Sequence, residues 1–110
     1  MNPKENRQEK RFSVEDLPSS LQSLTVFIHG EEIEAWVVNA SRSGFGFRIK
    51  LFSQHFIQGT TIALLFSQLK HRLSAEIVFV EPSDDGWCRV GVRLNSSLGY
   101  DYYLEALKDF

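Results

Sequence analysis

The chain has 110 residues, 43% of them hydrophobic and 24% charged, so it carries apolar material for one core and too little for two. A net charge of -2 argues against a DNA or RNA polymer as partner, because a polyanion is met by a basic surface. A single cysteine, Cys88, excludes an internal disulfide, and no apolar run approaches a membrane span; both point to a cytoplasmic location with no membrane insertion.

Residues 1–21 are polar, charged and closed by Pro18, Ser19 and Ser20, which reads as a flexible N-terminal arm with little core material, ahead of a folded domain at 22–110. Six short runs rich in β-branched and aromatic residues follow, at 24–29, 33–40, 45–49, 61–66, 73–81 and 87–94. The punctuation between neighbours, Gly30-Glu31, Ser41-Arg42-Ser43-Gly44 and Pro82-Ser83-Asp84-Asp85-Gly86, leaves room for hairpins and none for crossover helices. The sheet is therefore mainly antiparallel. Residues 51–59 fit either a loop or a helical turn. Ser96 or Ser97 is placed to cap a short C-terminal helix on which Tyr100, Tyr103, Leu104 and Leu107 recur at helical spacing.

Alternation assigns the inward side chains. They are Leu24, Val26 and Ile28; Trp36, Val38 and Ala40; Phe45, Phe47 and Ile49; Ile62, Leu64 and Phe66; Leu73, Ala75, Ile77 and Phe79; and Cys88, Val90, Val92 and Leu94. Phe27, Trp87, Arg89, Gly91 and Arg93 point outward on the same phase.

Two patterns stand out. Arg7-Gln8-Glu9-Lys10-Arg11 sets two arginines four positions apart in the arm, and Asn39-Ala40-Ser41-Arg42-Ser43-Gly44 occupies a strand end and its turn. In this order they resemble the bacterial PilZ domain family, whose signature is R-x-x-x-R followed by [D/N]-x-S-x-x-G, and Arg89-Val90-Gly91-Val92-Arg93-Leu94 resembles the family's late strand. The resemblance covers most of the chain. It implies an all-β fold, a six-stranded antiparallel barrel with a short C-terminal α-helix, that binds the second messenger cyclic di-GMP and acts on it with no chemistry. It assigns ligand binding to Arg7, Arg11, Asn39, Ser41 and Gly44.

The chemistry of these residues suits such a ligand. An arginine fork fits the O6 and N7 acceptors of guanine, or a phosphate, with two parallel hydrogen bonds, each such pair being worth about 1–3 kcal/mol of discrimination. On the strand period Asn39 and Ser41 share the outward face, where an amide offers both donor and acceptor and a hydroxyl bonds the ligand or braces the turn. Gly44, lacking Cβ, is free to take a positive φ and to let a ligand approach the backbone. Gly46 and Arg48 extend the same face and Arg42 lies in the turn, so these three are read as auxiliary contacts. Binding would order the arm over the barrel and create or hide a surface that a protein target reads.

Each motif also has an ordinary reading. Arginines in a charged arm are commonly just solvated, and Asn, Ser and Gly are common turn residues. A PilZ-like protein-interaction domain that binds no nucleotide is one alternative, and a small barrel for single-stranded nucleic acid is another, which the net acidity disfavours. His29, His55, His71 and Cys88 have no metal-ligand spacing, and no nucleophile motif or paired-acid framework is present, so neither a metal, a cofactor nor an enzymatic activity is expected.

Overall fold

The computed structural model describes residues 10–50, 56–83 and 85–108. Among them run strands β1 (Phe12–Ser13), β2 (Ser23–Ile28), β3 (Glu31–Ala40), β4 (Gly44–Ile49), β5 (Thr61–Phe66), β6 (Leu73–Pro82) and β7 (Cys88–Leu94), followed by helix α1 (Leu98–Lys108). Two 3-10 turns, Val14–Asp16 and Ser19–Leu21, separate β1 from β2. All strand pairings are antiparallel, in the order β1-β3-β2-β5-β6-β7-β4, and a further pairing of β3 with β4 closes β2 to β7 into a six-stranded barrel. The six strands and the helix agree with the sequence expectation; β1 is an addition to it.

Why β1 exists follows from strand lengths. β3 has ten residues and β2 six, so the pairing of Ser23–Ile28 with Glu31–Trp36 leaves the far end of that β3 edge uncovered. An uncovered edge exposes backbone donors and acceptors that seek partners. β1 fills it, with Phe12 opposite Ala40 and Ser13 opposite Asn39.

The barrel interior is aromatic and aliphatic. Phe45, Phe47, Ile49, Phe66, Leu64, Ile77, Val90 and Tyr103 are all fully or almost fully buried. Phe45 lies 5.1 Å from Phe66 and 5.9 Å from Tyr103, ring centre to ring centre, inside the range where aromatic pairs attract. Each side chain of this size contributes about 1.5–3 kcal/mol when taken fully out of water. α1 closes the barrel with Tyr103 and Leu107. Its N-terminus is capped by Ser97, whose Oγ accepts the Tyr100 N–H at 3.1 Å, the second of the two serines the sequence offered. Among the described residues no helix is long and apolar enough to cross a membrane.

Strict alternation fails at two bulges. In β3 the register shifts between Val37 and Asn39, so Ala35 and Val37 point inward, Val38 is half-buried, and Trp36 faces out with 39% of its surface exposed. The inward assignment of Trp36 and Val38 is thereby corrected, while Ala40 stays inside. In β6 the register shifts between Ile77 and Phe79, and Phe79, assigned to the core, lies on the outer surface. Leu94 is half-buried rather than interior. A further difference lies before the barrel: Leu17 and Leu21 are core residues at 4% and 0% exposure, so residues 10–21 hold more core material than their polar composition suggests. The amide of Gln22 ties this segment down by donating to the carbonyls of Val14 and Leu17.

Candidate ligand-binding cleft

On the outer face of β3, β4, β7 and β6 the registers align into three cross-strand rows. One row runs Gly44, Arg93, Glu76; the next runs Asn39, Gly46, Gly91, Phe79; the third runs Trp36, Arg48, Arg89, Glu81. Residues directly opposite on an antiparallel pair share a face, so the middle row has two adjacent positions with no side chain. In β4 and β7 neighbouring rows are two residues apart, about 7 Å, so about 13 Å separates the two arginine-bearing rows, with side chains between them only at Asn39 and Phe79. The space between them is a trough with a backbone floor, a cleft of about 430 Å³ lined by Arg11, Asn39, Ser43, Gly46, Phe79, Arg89 and Arg93 among others.

Of the three glycines that line this cleft, two are required by close approach. A Cβ on Gly44 would stand 2.1 Å from the Val92 carbonyl oxygen, and one on Gly91 would stand 2.1 Å from the Phe79 ring. Gly44 therefore serves the packing of β4 against β7. The sequence expectation of a positive φ there is corrected, since the glycines with positive φ are Gly30, Gly59 and Gly86. Gly91 leaves room for the Phe79 ring, which stands opposite it after the register shift in β6.

Arg11 reaches this trough because β1 pairs with the end of β3. Side chains two apart on a strand share a face, so Arg11 follows Ser13 onto the side of Asn39. Its Nη2 donates to Asn39 Oδ1 at 3.0 Å. That bond leaves the rest of the guanidinium fork and the Asn39 amide at the cleft edge.

Ser41 differs from its assignment. It is fully buried rather than outward, and its Oγ donates to the Gly44 carbonyl at 3.2 Å while its N–H donates to the same oxygen at 2.8 Å. Of the two roles the sequence allowed, this geometry is that of the turn brace. Arg7 lies outside the described residues. Gly46 sits in the trough floor. Arg42 points elsewhere, into a second cleft beside α1 that also has Lys10, Phe12, Asp101 and Leu104 in its wall. Arg48 is stacked over Trp87 at 4.5 Å, and Trp87 meets Trp36 edge-on at 5.7 Å, forming an aromatic cleft that shares Arg89 with the trough. Arg93 is paired with Glu76 at 2.6 Å, a pair exposed enough for solvent to screen it.

Sequence reading singled out none of Phe79, Gly91, Arg89 and Arg93 as site residues. The signal for the last three was present, because alternation in the final strand already turned them outward.

A family model described as the PilZ domain matches residues 5–107. The chain belongs to the PilZ domain family. Solved structures agree in fold. The PilZ domain of YcgR from Escherichia coli, solved with c-di-GMP, has a TM-score of 0.67 at 13% identity over 94% of this chain and 92% of that one. MotI/DgrA, the inhibitor of motility of Bacillus subtilis, has a TM-score of 0.64 at 14% identity, and PlzA of Borreliella burgdorferi, solved in complex with c-di-GMP, has 0.61 at 8%. This PilZ chain is covered to 94% and 96% in those two comparisons and spans 48% and 51% of their lengths, about half. No curated protein sequence matches it.

Proposed function

We propose that this PilZ domain is a receptor for cyclic di-GMP that binds the nucleotide in the trough and relays its level to a protein target. The observation that carries the reading is the Arg11–Asn39 contact at the edge of a glycine-floored cleft. One guanine edge offers adjacent acceptors to an arginine fork, another offers donors to an amide oxygen, and a flat base has room over the bare backbone at Gly46. Phe79 supplies a ring face beside that floor, and base-on-aromatic stacking is worth about 1–3 kcal/mol per base. Family membership and two neighbours solved with c-di-GMP support the same ligand.

In this reading Arg7 and Arg11 grip the ligand, Asn39 orients Arg11 and meets the base, and Ser41 and Gly44 hold the turn that presents Asn39. Arg89 and Arg93 are phosphate or base contacts, and Gly46 contributes the floor. The segment through Leu21 acts as a strap whose N-terminal part closes on the nucleotide, in a soluble bacterial cytoplasmic protein that performs no catalysis.

Titration calorimetry with cyclic di-GMP tests the proposal, with cyclic di-AMP as control because adenine carries a donor where guanine carries O6. Saturable binding that discriminates against cyclic di-AMP and is lost in Arg11→Ala supports it. A flat titration with folded protein overturns it and leaves a PilZ interaction domain that binds no nucleotide. Ligand-induced slowing of amide exchange in residues 10–21 tests the relay, and unchanged exchange there at saturation removes it.

A further inference from the structure

The turn from β3 to β4 is held through its carbonyl groups. Residues 41–44 present four backbone oxygens, and each has a donor. Ser41 O accepts the Tyr103 hydroxyl at 2.6 Å, and Arg42 O accepts the Tyr100 hydroxyl at 2.9 Å. Ser43 O accepts the Leu94 N–H at 2.8 Å, and Gly44 O accepts the N–H of Ser41 at 2.8 Å. Two of these donors come from α1, 58 and 62 positions along the chain.

Packing alone does not call for those hydroxyls. Tyr103 is fully buried and stacked on Phe66 at 5.7 Å, a contact that phenylalanine would make equally well. Instead, the i, i+3 spacing of Tyr100 and Tyr103 puts two hydroxyls on one helix face, where they meet the carbonyls of two consecutive peptides. The Tyr103 bond is buried, where a hydrogen bond is strong and removing one partner leaves the other desolvated, whereas the Tyr100 bond is exposed and adds the weaker second tether.

We propose that Tyr103 and Tyr100 are positioning residues for the cyclic di-GMP site. They touch no ligand. By fixing the Ser41 and Arg42 peptides they set where Asn39, two residues before the turn, stands relative to Arg11 and the trough. The docking of α1 and occupancy of the cleft are then one coupled equilibrium: a ligand that favours the held turn strengthens the helix contact, and loss of the helix contact weakens the ligand by the same factor. The inference rests on the nucleotide reading above and names the element, α1, that feels the site from the far side of the turn.

The test compares Tyr103→Phe and Tyr100→Phe with Tyr102→Phe, whose ring is 46% exposed and stacked on His71, away from the turn. Affinity for cyclic di-GMP is read by calorimetry, and amide exchange is followed with and without ligand. Tyr103→Phe is expected to weaken binding about 5- to 30-fold, with Tyr102→Phe within about twofold of wild type. In ligand-free Tyr103→Phe the amides of Ser41 and Leu94 exchange faster. In the wild type cyclic di-GMP slows exchange of the α1 amides, and in the variant this protection shrinks; a tyrosine that only packed would alter stability without altering it. Wild-type affinity in both Tyr103→Phe and Tyr100→Phe overturns the proposal, as does unchanged exchange at the turn. A wild type that does not bind cyclic di-GMP defeats the nucleotide reading and the coupling together, while the exchange of Ser41 and Leu94 still decides whether the hydroxyls hold the turn. Should Tyr103→Phe fail to fold, Tyr100→Phe, at a half-buried position, carries the same comparison.

Discussion

The Arg11 guanidinium donates to the Asn39 side-chain oxygen at 3.0 Å across 28 positions of sequence, bringing the second arginine of one motif of this PilZ domain onto the first residue of the other. The link is made possible by a two-residue strand, β1, that pairs only with the overhanging end of β3. Arg11→Ala is expected to weaken cyclic di-GMP binding about 5- to 150-fold, with Arg11→Lys nearly as weak because an ammonium has no planar fork. Asn39→Ala removes the group that orients Arg11, so the double variant should lose less than the sum of the two single losses. A calorimetric double-mutant cycle measures this, and strict additivity would show that the two residues act independently. The bond lies at the surface, so the unfolding free energy from urea denaturation should change by no more than about 0.5 kcal/mol.

The trough depends on missing Cβ atoms, but the two tight glycines should respond differently. At Gly44 the obstacle is the backbone oxygen of Val92, so Gly44→Ala must part β4 from β7 and is expected to cost about 3 kcal/mol or more in urea unfolding. At Gly91 the obstacle is the Phe79 ring, which is on the surface and able to swing away. Gly91→Ala should therefore cost about 1 kcal/mol while lowering ligand affinity through the displaced ring. Equal destabilisation by both would mean that Phe79 is pinned.

Leu21 is fully buried although its neighbours in sequence are polar. Leu21→Ala should destabilise the domain by about 2–5 kcal/mol, as for any large aliphatic removed from a packed core. Leu98→Ala, at a position 59% exposed, should fall within about 0.5 kcal/mol of wild type. Urea denaturation distinguishes a segment that belongs to the core from one merely lying against it.

Burial raises the Cys88 thiol above its ordinary range, opposed only in part by a hydrogen bond with the Glu81 backbone. The thiolate is the reactive form, so a raised value leaves less of it at a given pH. Labelling of native protein with a thiol reagent at pH 8 should be far slower than in urea, and should quicken as pH rises. Fast labelling at pH 8 under native conditions would show that β7 opens at its first residue.

Local sequence was enough for the barrel wherever one phase of a strand was apolar and the other was not. Leu24, Val26 and Ile28 in β2 and Phe45, Phe47 and Ile49 in β4 are buried as alternation requires. The helix was legible from the spacing of Tyr103 and Leu107 and from the serine ahead of it. Both signature motifs were legible as residue types at fixed spacing, and with them the family.

Tertiary structure alone decided the rest. In Ala35-Trp36-Val37-Val38 and Ile77-Val78-Phe79-Val80 both phases are apolar, so alternation carries no information about side, and a bulge in each strand settles it by matching the partner's register. That is how Trp36 and Phe79 come to the surface. The row of Asn39, Gly46, Gly91 and Phe79, and the grip of Tyr100 and Tyr103 on the turn, are relations between strands and helix far apart in the chain. Periodicity reports which side of its own strand a residue occupies. Which residue of another strand stands opposite depends on the hydrogen-bond ladders of the closed barrel, and those form only when the whole sheet does.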